Sequence, residues 1–266
     1  MMTNTPDDSR VYPRGWYVKL ILLGLFCGLL TGLFGVGGGV VLVPALVLIM
    51  RFDQRTAAGT SLAAIVPTVI VSLIGYAASG NVDVLAALIL AAGMIAGTQI
   101  GTYYMARVRH DVLQWMFIAF LVFVIVQMFI NVPSRAGMIE FTGVSISGLI
   151  VLGLATGLLS GLLGVGGGVV VVPMLIVFFG ASDLIAKGTS LLMMIPGALS
   201  GTAANIKRKN IHVRAAIVLG LSASSITWLG AILATMLTPL ASNLLFASFL
   251  VIITVRMALH ALRRRG

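Results

Sequence analysis

Polar positions along this chain are so sparse that they punctuate long apolar runs rather than alternate with them. Four runs, Ala57–Ser79, Val82–Ala106, Val112–Ile130 and Val213–Leu237, reach about the 20 residues that an α-helix needs to cross a bilayer core. Two longer ones, Trp16–Met50 and Ser145–Phe179, are interrupted near their middles by clustered glycines. As one straight helix Trp16–Met50 would measure about 50 Å against a hydrocarbon core of ~30 Å. Glycine costs about 1 kcal/mol each in a helix interior. The pattern therefore predicts a break, either within a single crossing or at the tip of a hairpin of two shorter helices, the second spanning roughly Val40–Met50.

The break is written twice. GLFGVGGGVVLVP starts at Gly32 and GLLGVGGGVVVVP at Gly161, 129 residues later. At that offset Gly24–Ile130 aligns with Gly153–Leu259 without a gap, and about a third of the paired positions are identical. Pro44 pairs with Pro173, Pro67 with Pro196, and Gly59–Leu62 with Gly188–Leu191. The expected architecture is all-α: a polytopic helical membrane protein with two inverted structural repeats, residues 16–131 and 145–262. Each repeat is a broken helix or helical hairpin plus three transmembrane helices. A polar tail (1–15) precedes the first repeat, and a linker (132–144) joins the two.

Basic residues argue for the hairpin. If each broken run crosses once, the Lys and Arg residues divide twelve to five between the two sides; if each is a hairpin, they divide fifteen to two. The positive-inside bias favours the second arrangement. It places both termini in the cytoplasm and gives each half an odd number of segments, so that the halves are inverted.

Composition agrees with a membrane solvent. Hydrophobic residues make up 59% of the 266-residue chain and charged ones 9%, where soluble domains carry roughly 25%; the mean hydropathy is +1.12. The net charge of +10 follows from basic flanks, and no aromatic reading surface accompanies it, so nucleic acid is not expected as a partner. The single cysteine, Cys27, forms no internal disulfide.

The candidate chemistry lies in the glycine breaks. The first N–H groups of a helix lack internal partners and carry partial positive charge. Glycines also let a ligand approach the backbone. Gly37, Gly38 and Gly39, with Gly166, Gly167 and Gly168 brought from the other leaflet, can form an anion site that needs no buried lysine or arginine. The same glycines also suit close helix packing. Thr60, Ser61, Thr189 and Ser190 offer hydroxyls for substrate oxygens or for helix capping, and Pro67 and Pro196 are candidate kinks with a gating role. All seven acids read as tail or loop residues, and so do Lys187 and Arg55. No carboxylate is expected at the midplane, no metal or cofactor site, and no catalytic nucleophile with a base.

The doubled GVGGG with Pro five residues on, followed by A-x-GTSL at Ala57–Leu62 and Ala186–Leu191, resembles the TauE/SafE sulfite exporter family, also called the 4-toluene sulfonate uptake permease family. The resemblance implies a multi-pass permease of the plasma (inner) membrane for a small sulfur-containing anion such as sulfite or an organosulfonate. The expected mode of transport is alternating access, one half rocking against the other around the midplane site. Its glycine motifs fall on Gly35–Gly39 and Gly164–Gly168, and its hydroxyl motifs on Thr60, Ser61, Thr189 and Ser190. The expected partners are the anion and the lipid bilayer; a coupling proton and a homo-oligomeric state are left open. An anion channel and a non-transport integral membrane assembly factor are the alternative readings.

Overall fold

A computed structural model describes residues 12–104, 115, 118–119, 121–123, 125–126, 129–130 and 137–263. Most of the expected span Val112–Ile130, most of the polar tail and part of the linker lie outside the described residues. Among those residues the chain is helical without a strand, and seven helices are long and apolar enough to cross a membrane. In chain order the helices are α1 (Arg14–Phe34), α2 (Gly39–Leu48), α3 (Gln54–Ala78), α4 (Val84–Tyr104), α5 (Gly143–Leu163), α6 (Gly168–Phe179), α7 (Asp183–Lys207), α8 (Val213–Met236) and α9 (Pro239–Arg263). In an apolar solvent every backbone polar group must be satisfied within its own segment, so helices are the only open form available to these runs.

Both broken runs are hairpins. Tyr12, ahead of α1, donates or accepts a 2.9 Å hydrogen bond with His212, and Phe52, after α2, stacks on the same imidazole at 5.2 Å. The segment between them therefore leaves one end of the bundle (end A) and returns to it. In the second half a Cβ on Gly148, early in α5, would lie 3.2 Å from the ring of Phe179, the last residue of α6. Ser182 donates to the Gly137 carbonyl at 3.0 Å. That run leaves and returns to the opposite end (end B).

The helix directions follow from glycine contacts. Gly24, Gly28 and Gly32 of α1 press on Leu219, Ala223 and Thr227 of α8 in rising order, so α1 and α8 run parallel. Gly153, Gly157 and Gly161 of α5 press on Leu90, Met94 and Thr98 of α4 in the same way. Each contact is the other's image under the 129-residue offset with the halves exchanged. In contrast, α3 and α7, which that offset pairs with each other, run antiparallel: Gly59 meets Asn205, while Gly201 meets Leu62.

Lipid offers no hydrophobic drive for helices to associate, so close backbone approach at small residues supplies the packing. A methyl on Gly28 would run into the Ala223 carbonyl and one on Gly157 into the Met94 carbonyl, whereas Gly15 has open space around it. Gly28→Ala and Gly157→Ala should each lower stability by about 1–3 kcal/mol, the usual cost of overpacking. Gly15→Ala should leave it unchanged. Denaturation midpoints of the purified variants in one detergent check the contrast.

Candidate functional site

Helix α1 stops because Gly35 takes a left-handed conformation (φ +67°) and its N–H closes back on the Thr31 carbonyl at 2.8 Å. Gly37 (φ +75°) and Gly38 (φ +67°) keep the chain in that region, and α2 starts at Gly39. Only glycine enters this region without steric cost. The second break repeats the arrangement at Gly164, Gly166 and Gly167 (φ +74°, +84° and +89°). The short helix of the first repeat spans Gly39–Leu48 rather than Val40–Met50, because Met50 and left-handed Arg51 already belong to the turn leading to α3.

The two breaks touch. A Cβ on Gly39 would lie 2.5 Å from the Val165 carbonyl oxygen, and one on Gly168 would lie 2.6 Å from the Gly35 carbonyl oxygen and 2.7 Å from Val36 Cα. Gly37 and Gly166 both face Ile65 and Met194. These two side chains are themselves partners at the 129-residue offset, and each is the twelfth residue of a 25-residue helix. The meeting point therefore sits at the middle of α3 and α7, at mid-depth of the bundle. Neither glycine tract lies inside an unbroken helical rod.

The backbone at this point is buried and under-satisfied. Among the described residues, none of the N–H groups of Val36–Val40 or Val165–Val169 has an acceptor, although all of these residues are buried. Neither α2 nor α6 has a side-chain cap. Buried unpaired amides are rare because each forfeits roughly 1–3 kcal/mol of solvation. Two such rows, each at a helix N-terminus, form a concentrated patch of positive potential.

The hydroxyl candidates divide. Ser190 Oγ donates to the Gly35 carbonyl at 3.0 Å and so joins α7 to the first break. Ser61, its counterpart, is fully buried and its hydroxyl makes no hydrogen bond. Thr60 Oγ1 accepts from the His212 N–H and Thr189 Oγ1 from the Asp83 N–H, both at 3.0 Å. These threonines therefore anchor the loops at ends A and B, and face away from the breaks. Pro67 lies in mid-helix against Gly220, and Pro196 lies inside α7.

Three sequence expectations need correction. Arg55 is the second residue of α3 and not a loop residue. Lys187 and Asp183 are not loop residues: they are the fifth and first residues of α7, each 2% exposed. The Lys187 ammonium lies 3.5 Å from the Asp183 carboxylate and donates to Ser242 Oγ of α9 at 2.6 Å. Its Cα lies against Gly35, 2.7 Å from where a Cβ would stand. Helix α7 thus meets the first break at Lys187, where α3 meets the second at Ala58. The pair was hidden because Asp183 sits in a loop-like A-S-D stretch, while α7 begins there with Ser182 as its cap. Ile65 and Met194 were missed because apolar residues in apolar helices give no signal; only their equivalence under the repeat singles them out. Among the described residues no group of His, Cys, Asp or Glu side chains could hold a metal ion.

Long apolar helices, two re-entrant hairpins and glycine-packed helix pairs define a multi-pass membrane protein of transporter type. The model of the sulfite exporter TauE/SafE family matches residues 2–128 and 149–266, and the chain belongs to that family. It is 26% identical over 226 residues to the probable membrane transporter protein YunE of Bacillus subtilis, covering 76% of this chain and 83% of that one. It is 26% identical over 186 residues to YdhB of the same organism, covering 68% and 76%. A probable membrane transporter protein of Haemophilus influenzae is 31% identical over 164 residues, covering 58% and 61%. No solved structure matches the chain.

Removing one partner of a buried ion pair strands the other charge, at a cost of about 3–5 kcal/mol. Lys187→Met should therefore destabilise the protein by that amount, and the double variant Lys187→Met/Asp183→Asn should recover most of it. Denaturation midpoints of the two variants against wild type check the pairing.

Proposed function

We propose that this transporter carries a small sulfur-containing anion, sulfite or an organosulfonate, by alternating access. The anion binds where the two glycine breaks meet. The observation that carries this reading is the double row of buried, acceptor-free N–H groups, Val36–Val40 and Val165–Val169. An oxyanion supplies several acceptors to such a nest and gains from both helix dipoles. Ser61, with its unpartnered hydroxyl, adds a donor for the anion at the second break. Ile65 and Met194 cover the glycines and act as the lid between the site and the two ends. Pro67 and Pro196 each free a carbonyl one turn back in α3 and α7, which suits helices that flex during gating.

The repeats are inverted with respect to the bilayer. Support comes from the antiparallel course of α3 and α7 and from the two hairpins, which start from opposite ends. End A is the cytoplasmic side of the plasma membrane, and both termini lie there. Among the described residues every Lys and Arg except Lys187 belongs to the half of the bundle nearest end A, as the positive-inside bias requires. The reaction is solute movement and calls for no catalytic residue.

Gly38→Val and Gly167→Val place a β-branched side chain at φ +67° and +89° and fill the nest. In proteoliposomes each should reduce sulfite or organosulfonate flux to background while the protein remains monodisperse and membrane-inserted. In purified wild-type protein the transported anion should raise the unfolding midpoint by mass action, and chloride at equal ionic strength should not. Undiminished flux in both variants would exclude the breaks as the site.

A further inference from the structure

We propose that end A carries a binding site for an anionic phospholipid, separate from the glycine breaks. An open groove of about 290 Å³ runs between α3, α7 and α8, lined by Ala63, Pro67, Thr202, Ile206, Ala216 and Leu221 among others. Its lining is almost wholly apolar, and it faces the lipid, since Ile206, Ile217 and Leu221 are exposed. An acyl chain is the occupant a bilayer supplies to such a surface.

The mouth of the groove specifies the headgroup. Ile206, Ile211 and Val213 line the groove, and interleaved with them are four exposed cations, Lys207, Arg208, Lys209 and Arg214. Lys209 holds a left-handed backbone (φ 58°), a conformation that costs a non-glycine residue free energy. The equivalent position of the other repeat, at end B, is Gly80 (φ 69°). The same exchange occurs at the neighbouring turn of end A, where Arg51 (φ 58°) stands opposite Gly180 (φ 66°) at end B. Phe52, next to Arg51, stacks on His212 within the α7–α8 loop, so the two turns adjoin. At end B the counterparts of Lys207, Arg208, Lys209 and Arg214 are Ala78, Ser79, Gly80 and Leu85. A general inside-positive bias does not require cations in strained conformations where glycine fits. A fixed anionic group over these two turns would offset that cost by pairing with both cations.

The depth also fits a phospholipid. Thr202, whose buried hydroxyl makes no hydrogen bond in the protein, stands about 7–8 Å along α7 from Lys207. With the phosphate at Lys207–Lys209 and Arg214, a glycerol ester lies near Thr202 and the acyl chain continues past Pro67 and Ala216. Basic pockets between membrane helices bind anionic headgroups in this way.

The test compares unfolding midpoints of delipidated protein in neutral detergent after adding phosphatidylglycerol, phosphatidylcholine or soluble sn-glycerol 3-phosphate, with native mass spectrometry to count retained lipid. Phosphatidylglycerol should raise the midpoint by several degrees more than phosphatidylcholine, and the soluble headgroup should do nothing. Lys209→Gly/Arg214→Gln, which installs the other repeat's glycine and so keeps the turn, should fold normally and lose the phosphatidylglycerol preference, with apparent affinity falling roughly tenfold. Ala63→Leu, which fills the groove and keeps the cations, should weaken retention of phosphatidylglycerol in native mass spectrometry. Equal shifts with both lipids, an undiminished preference in the charge variant, or a matching shift with glycerol phosphate would each overturn the proposal. Anion flux through the glycine site is measured separately and does not decide it.

Discussion

Backbone amides without acceptors cannot stand in hydrocarbon, and the architecture is arranged around two places where they stand at mid-depth. Each glycine break leaves a row of N–H groups unpaired. Each is shielded by the other break, through the Gly39–Val165 and Val36–Gly168 approaches, and by Ile65 and Met194. Irregular backbone is tolerated within a membrane only where protein or a polar guest covers it. The glycines are therefore required twice over: positive φ at Gly37, Gly38, Gly166 and Gly167 forms the breaks, and the missing side chains at Gly39 and Gly168 let the breaks meet.

Interlocking follows from the same geometry. The 129-residue pairing reappears as exchanged contacts: Thr60 with His212 against Thr189 with Asp83, and Gly59 with Asn210 against Gly188 with Asn81. A duplicated unit that packs on its own copy presents every contact twice, so departures from the pairing mark positions under separate demands. Three stand out here: Lys187 opposite Ala58 beside the first break, Lys209 opposite Gly80, and Arg51 opposite Gly180. All three put a cation in one repeat where the other has a neutral residue. Lys187 lies buried inside the bundle, and the other two lie on turns at end A.

Much of this was legible in the sequence because a membrane solvent reduces the grammar to a few signals. Run length predicted the crossings, and the excess length of Trp16–Met50 with its glycine cluster predicted a break. The division of Lys and Arg favoured the hairpin over the single broken crossing. Side-chain roles read less well. Thr60 and Ser61 are adjacent in one motif, yet a helix turns consecutive residues about 100° apart: the threonine hydroxyl holds a loop, and the serine hydroxyl is buried without a partner. Lys187 looked like a flanking charge because α7 starts early, at Asp183, and draws both members of the ion pair below the surface. The spacing Gly24–Gly28–Gly32 and Gly153–Gly157–Gly161 was visible, but which helix each face meets depends on tertiary packing. That packing joins α1 to α8 and α4 to α5, across the halves rather than within them.

That cross-packing bears on the alternating access proposed above. If the two halves rocked as rigid bodies, α1 would slide on α8 and α4 on α5. Those are the contacts where backbone meets backbone and where an added methyl already finds no room. Packed interfaces of this kind are bistable at best and do not deform continuously. Under the proposed alternating access the pairs α1–α8 and α4–α5 would serve as two fixed walls, each built from both repeats. The parts left to move are the inner ones: the short helices α2 and α6, and the proline-interrupted α3 and α7 that carry Ile65 and Met194 across the breaks. On the proposed alternating access, displacing Ile65 toward one end, or Met194 toward the other, would open the amide nest to one side at a time. On that proposal the moving units differ from the duplicated ones: each repeat contributes one equivalent lid residue, Ile65 or Met194, and the interlocked helix pairs supply the frame.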